Sequence, residues 1–160
     1  MIRSRITDRA FTLIEVVIAV LILAIAVPPT LGLLDATAAG RADTVNSTRA
    51  TILASSVLES VLADIASTDE SLGFSALEDA AAYLDTPTAG LYARLSGSLG
   101  TYEKYGFTYS VEIGELVGVD GTVSASPSEN LFRVITVRVG YPSGTGDDFE
   151  LPVSLMVGAL

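Results

Sequence analysis

Carboxylates are the main acid–base resource of this chain, which has 19 Asp and Glu residues and neither histidine nor cysteine. Lack of cysteine removes disulfides and thiolate metal ligands; lack of histidine removes the usual general base of hydrolases and the commonest zinc ligand. Asp and Glu alone can still run acid and base chemistry. The densest groups are Asp147-Asp148 with Glu150, and Glu112 with Glu115. They fall in or beside strand-like and turn-like segments, where solvated charge is the ordinary explanation and turns recruit Asp. Asp120-Gly121 likewise reads as turn chemistry, because no oxygen-ligand spacing for calcium surrounds it. No glycine-rich phosphate loop or nucleophile motif is present. The expectation is a protein that is not an enzyme and uses no cofactor and no metal.

Glu15 is the carboxylate that composition does not explain. It lies five residues into an otherwise uncharged stretch that starts at Phe11, and from Val16 to Leu34 no charge occurs. Nineteen residues at about 1.5 Å rise span roughly 28 Å, close to the hydrocarbon thickness of a bilayer. A charge at the edge of such a segment costs free energy and needs a partner or access to water. Pro28 and Pro29 each remove a helical hydrogen bond, so a kink or local melting is expected there. Ahead of this segment, residues 1–10 hold Arg3, Arg5 and Arg9 against Asp8, a net of +2, which leaves −12 of the chain's −10 for residues 11–160. A basic start before an acidic remainder orients the leader toward the cytoplasm and the rest outward. Arg41 and Arg49 weaken that contrast without reversing it. The acidic remainder would repel phosphate, so no direct contact with nucleic acid is expected.

Two processing schemes fit a basic leader followed by an apolar run. An ordinary secretory signal ends in a small-residue site of A-x-A type, and Ala36-Thr37-Ala38 supplies one, which would release a soluble domain starting at Ala39. Such a signal gains nothing from Glu15. The second scheme cuts before the apolar segment, between Ala10 and Phe11. The string Ala10-Phe11-Thr12-Leu13-Ile14-Glu15-Val16-Val17, followed by an apolar helix, resembles the type IV prepilin signal shared by type IV pilins and type II secretion pseudopilins. The resemblance implies removal of residues 1–10 by a membrane-embedded prepilin peptidase on the cytoplasmic side, and methylation of the new amino terminus at Phe11. It also implies that Glu15 meets the amino terminus of a neighbouring subunit during assembly. This chain has Ala10 where the family usually has Gly before the cut, and Gly32, with Pro28 and Pro29 upstream, where the family commonly has a proline. Cleavage would put an ammonium group four residues before Glu15, on the same helix face.

The elements beyond Leu34 are of another kind. Leu53, Val57, Val61 and Ile65 recur every four residues, flanked by Leu58 and Leu62, while Arg49, Glu59 and Asp64 lie off that stripe. The first helix is expected to continue amphipathically over 35–66, with a weak junction around Gly40 and Asn46. Residues 67–103 read as a connector rich in Ser, Gly, Thr and Ala, with a short helix around Ser75 to Leu84. Three alternating runs follow. Tyr105, Phe107, Tyr109, Val111 and Ile113 share a face; so do Leu131, Ile135, Val137, Val139 and Tyr141; and so do Phe149, Leu151, Val153, Leu155 and Val157. Turns at 119–130 and 142–148 imply an antiparallel sheet, whose apolar face the striped helix would cover. Pro152 predicts an edge position, or a bulge, for the last strand.

The expected fold is therefore α+β: a long N-terminal helix packed on an antiparallel sheet of about three strands. The expected divisions are a leader at 1–10, a membrane and polymerisation helix at 11–34, its amphipathic continuation at 35–66 and an exported domain at 67–160. With the prepilin resemblance, this implies a subunit of a type IV pilus or type II secretion pseudopilus in the inner membrane. It would be single-pass, amino terminus cytoplasmic and domain periplasmic. The implied partners are prepilin peptidase, other pilin or pseudopilin subunits, an inner-membrane assembly platform and the lipid bilayer. The stretch Ala54-Ser-Ser-Val-Leu-Glu-Ser-Val-Leu62 is similar to the minor subset of these proteins. A membrane-anchored or secreted binding domain that never polymerises is the other function class.

Overall fold

The computed structural model describes residues 12–69, 71–144, 146 and 148–159. Helix α1 runs over Leu13–Ile65, 53 residues, and is unbroken at Pro28 and Pro29. Two compact units divide the chain, residues 1–40 and residues 41–160. The described part of the first unit is helical except for Thr12, just ahead of α1.

In the second unit, α1 from Arg41 onward contributes Ala50, Leu53, Ala54, Val57, Leu58, Val61 and Ile65 to the core. Leu53 and Val57 are completely buried, so the four-residue repeat is an intramolecular packing stripe. Leu62 stays 42 % exposed, outside that stripe. After α1 come a short 3₁₀ segment (Phe74–Glu78), α2 (Ala80–Asp85) and α3 (Leu91–Glu103). Asp79 caps α2, its carboxylate accepting from the Ala82 N–H at 3.0 Å. The connector expected at 67–103 thus contains a 13-residue helix, α3, which buries Leu91, Leu95 and Leu99 at four-residue intervals. Gly90 precedes α3 in a tight approach: a Cβ there would lie 2.6 Å from both the Leu84 carbonyl oxygen and the Thr86 nitrogen.

Strands β1 (Thr108–Val117), β2 (Phe132–Pro142) and β3 (Asp148–Gly158) form an antiparallel meander in the order β1-β2-β3. Val111, Val137 and Val153 stand in register, as do Ile113, Ile135 and Leu155, so the period-two apolar sets share one face. Beneath that face lie the α1 stripe and the inward sides of α2 and α3, in one cluster. β3 is an edge strand, as Pro152 predicts. Three local features depart from simple alternation. Leu131 precedes β2 and is 59 % exposed, Tyr105 lies in the turn before β1, and β1 carries an irregularity between Ile113 and Leu116. The irregularity is a bulge in which one extra residue re-sets the pairing, so Leu116 faces Arg133. Gly114 fits it because a Cβ there would come within 3.0 Å of the Val134 carbonyl oxygen, and the Arg133 Nη1 donates to the Gly114 carbonyl at 2.9 Å.

Candidate functional site

The site begins where α1 begins. The Thr12 carbonyl accepts hydrogen bonds from the Glu15 and Val16 N–H groups, at 3.1 and 3.2 Å, which closes the first turn. Glu15 is the acidic residue of that turn. A carboxylate there opposes the partial positive charge of the helix start, and Thr12-x-x-Glu15 has the spacing of a capping box. Glu15 is exposed and forms no ion pair among the described residues.

From Val16 to Leu34 the large apolar side chains are 43–70 % exposed on every side of the helix. Helices of this kind are either membrane spans or are surrounded by other protein. The segment is long and apolar enough to cross a bilayer, and none of its most apolar 18-residue window is buried within the chain. Its one side-chain hydroxyl, and that of Thr37 just beyond its end, are satisfied within the helix. The Thr30 hydroxyl donates to the Val27 carbonyl at 2.7 Å and reaches the Ala26 carbonyl at 3.1 Å, and the Thr37 hydroxyl donates to the Leu33 carbonyl at 2.7 Å. Pro28 and Pro29 lack the N–H groups that would bond the Ala24 and Ile25 carbonyls, yet the helix continues through them. Ala10 and Phe11, the expected cleavage and methylation residues, lie outside the described residues.

The carboxylates that could have carried acid–base chemistry are scattered. Glu112 and Glu150 reach the same Arg138 on the outer face of the sheet, at 3.3 and 3.4 Å. Asp120 accepts from the Thr122 N–H at 3.0 Å within its turn, which holds its carboxyl below the usual range. Among the described residues no group of three potential metal ligands occurs. Asp147 is not among them.

One buried network was not legible as such. Asp64 is 7 % exposed and accepts from both terminal nitrogens of Arg94, at 2.7 and 2.6 Å, and from the Tyr83 hydroxyl at 2.6 Å. The Arg94 guanidinium stands over the Tyr83 ring, 5.9 Å from its centroid. Burial, then the bond to Asp64, raises the pKa of the Tyr83 phenol well above its ordinary value. Asp64 therefore lies on the stripe, not off it, since it follows Val57 by seven residues and Val61 by three. A carboxylate at such a position was the available signal that a cation had to be packed against it. The bidentate pair ties the end of α1 to α3 and the Tyr83 hydroxyl ties it to α2, so the network shapes the domain that α1 carries.

The model of the prokaryotic N-terminal methylation motif matches residues 6–27. No curated protein and no solved structure matches the chain. The matched stretch covers the Ala10-Phe11 junction, Glu15 and the first half of the apolar segment, which together suggest a membrane-anchored protein. This prepilin-type methylation motif and the apolar helix that runs on from it support a type IV pilin-like family for the chain.

Proposed function

We propose that this protein is a structural subunit of a type IV pilus or type II secretion pseudopilus, a minor component with no catalytic activity of its own. Prepilin peptidase removes residues 1–10 and Phe11 becomes the methylated amino terminus. The apolar segment holds the subunit in the inner membrane, amino terminus inward and residues 41–160 in the periplasm, until an assembly platform transfers it into the filament. There its helix packs among those of other pilin or pseudopilin subunits.

The observation that carries this reading is an apolar helix with no covered side that starts within the methylation motif and runs on past its end. Such a surface is satisfied by lipid, and it leaves lipid only when other apolar helices replace the acyl chains. Glu15 then has a role in the exchange. An unpaired charge costs on the order of 2.5–3.5 kcal/mol at the bilayer centre and less at its edge, and a neighbour's Phe11 ammonium offsets that cost at the point of docking. Pro28 and Pro29 give the packed segment a place to bend.

The test is incorporation. Glu15→Val should leave cleavage and membrane insertion intact and should deplete the protein from sheared filament or pseudopilus fractions, measured by immunoblot against the membrane pool. Wild-type incorporation of Glu15→Val would remove the pairing role. Absence of the unsubstituted protein from every such fraction would favour an anchored domain that does not polymerise.

A further inference from the structure

Residues 41–160 carry six basic against sixteen acidic side chains. Four of the six are engaged within the unit. Arg94 is paired with Asp64, Arg138 with Glu112 and Glu150, Arg133 donates to the Gly114 carbonyl, and Arg49 stands over the Tyr105 ring at 5.4 Å. Arg41 and Lys104 are exposed and form no ion pair among the described residues.

Between α3 and the start of β1 lies a groove of about 550 Å³, lined by Tyr92, Phe107, Tyr109 and Glu103 among others. The Tyr92 and Tyr109 rings meet at 55° with centroids 5.7 Å apart, forming a two-walled aromatic corner. Tyr92 is fixed in place because its hydroxyl accepts the Val111 N–H at 2.9 Å. Glu103 lies at the rim with no cation paired to it among the described residues. Burial first, then Tyr92 and Glu103, raise the pKa of the Tyr109 phenol. Tyrosine faces with a carboxylate are what a guanidinium selects, through cation–π stacking and charge-assisted hydrogen bonds. The same combination is already complete inside the domain, where Arg94 meets Tyr83 and Asp64.

The cation that fits can be identified by position. Gly106 lines the groove, and a Cβ on it would lie 3.5 Å from Pro142 Cγ. The Pro142 carbonyl accepts from Asn46 Nδ2 at 2.8 Å, and the Gly144 N–H donates to Asp43 at 2.6 Å. The groove therefore opens at the end of the domain where α1 enters it. Arg41 is five residues before Asn46, about 8 Å along the helix axis, a distance an arginine side chain nearly spans. Two copies each carry, at this same end of the domain, an Arg41 and a Glu103 that are unpaired among the described residues, so each offers the other both halves of the pairing.

We propose that the Tyr92–Tyr109–Glu103 groove receives the Arg41 guanidinium of a second copy of this chain, as a lateral contact made outside the membrane. This rests on the subunit-assembly reading above. The chain has no cysteine, so introduced thiols report one contact at a time. An arginine-length gap exceeds the roughly 7 Å Cα separation that a disulfide can bridge, so a short bismaleimide is the probe. Ala42→Cys and Ser96→Cys copies, which keep Arg41 and Glu103 themselves, carry different affinity tags, are co-expressed at full length and are treated in isolated membranes. Unchanged urea transitions establish that both variants fold. The mixed pair should give a cross-linked dimer carrying both tags, several-fold more than either variant paired with itself. If the tagged copies co-purify without cross-linker but the mixed pair yields no more dimer than the self-pairs, the groove contact is wrong and assembly stands. If the tagged copies do not co-purify at all, the groove contact and self-association both fall.

Discussion

Replacing Arg94 by alanine removes two of the three hydrogen bonds that hold the Asp64 carboxylate and leaves the Tyr83 hydroxyl as its remaining side-chain donor. The Asp64 side chain is 9 % exposed, so water does not reach it easily, whereas Arg94 is 33 % exposed. Breaking a fully buried pair from one side costs about 3–5 kcal/mol, and the partial exposure of Arg94 puts this case at the lower end, about 3 kcal/mol. With a urea slope of about 1.5–2 kcal/mol per M for a small domain, the midpoint should fall by about 1.5–2 M. The assay has a clean reporter. The chain has no tryptophan, and all six tyrosines lie between Tyr83 and Tyr141, so tyrosine fluorescence of the full chain in detergent follows the second unit alone. Arg138→Ala is the control, because its partners Glu112 and Glu150 are themselves mostly exposed, and it should leave the midpoint unchanged. Replacing the whole network at once, Asp64→Leu with Arg94→Leu and Tyr83→Phe, should be less damaging than Arg94→Ala, since no buried charge is left unpaired. If Arg94→Ala behaves like Arg138→Ala, the network does not hold the end of α1 to α2 and α3.

Two further perturbations have expected signs. The Tyr83 phenol has a folded-state pKa above its unfolded value of 10.0, so its contribution is complete below that pH and is lost as pH rises beyond it. Alkaline unfolding, followed by far-ultraviolet circular dichroism, should therefore steepen above pH 10 in the wild type and flatten in Tyr83→Phe; an identical pH slope in both would exclude this linkage. Gly90→Ala places a methyl group against the backbone at Leu84 and Thr86, where no flexible side chain can yield. It should lower stability by about 1–3 kcal/mol, as overpacking does, and an unchanged urea midpoint would contradict the geometry.

The parts of the fold visible in the sequence are those where one period holds without interruption. Phe149, Leu151, Val153, Leu155 and Val157 alternate across the whole of β3, and Leu53, Val57, Val61 and Ile65 mark the packed side of α1. Helix α3 was obscured because Ser96, Gly97, Ser98 and Gly100 are poor helix formers, and tertiary burial of Leu91, Leu95 and Leu99 overrides that preference. The bulge at Gly114 leaves no compositional trace, since an extra residue changes pairing and not residue type. Asp64 is hidden in the sequence because its charge points to the solvent side, whereas its position three residues after Val61 and seven after Val57 turns it inward. In the candidate site, Glu15 was legible as a cost without a local reason, and the apolar run as a span. The Tyr92–Tyr109 corner was not, because it exists only once the turn after α3 folds β1 back alongside it.

The mature amino terminus tests the central claim most directly. Full-length protein purified from membranes of a host with its prepilin peptidase, and measured by intact mass and terminal sequencing, should begin at Phe11 and carry one methyl group on its amino nitrogen. A protein that begins at Ala39, or that retains Met1 and the basic leader, would contradict the account and leave Glu15 without the ammonium group that gives it a role.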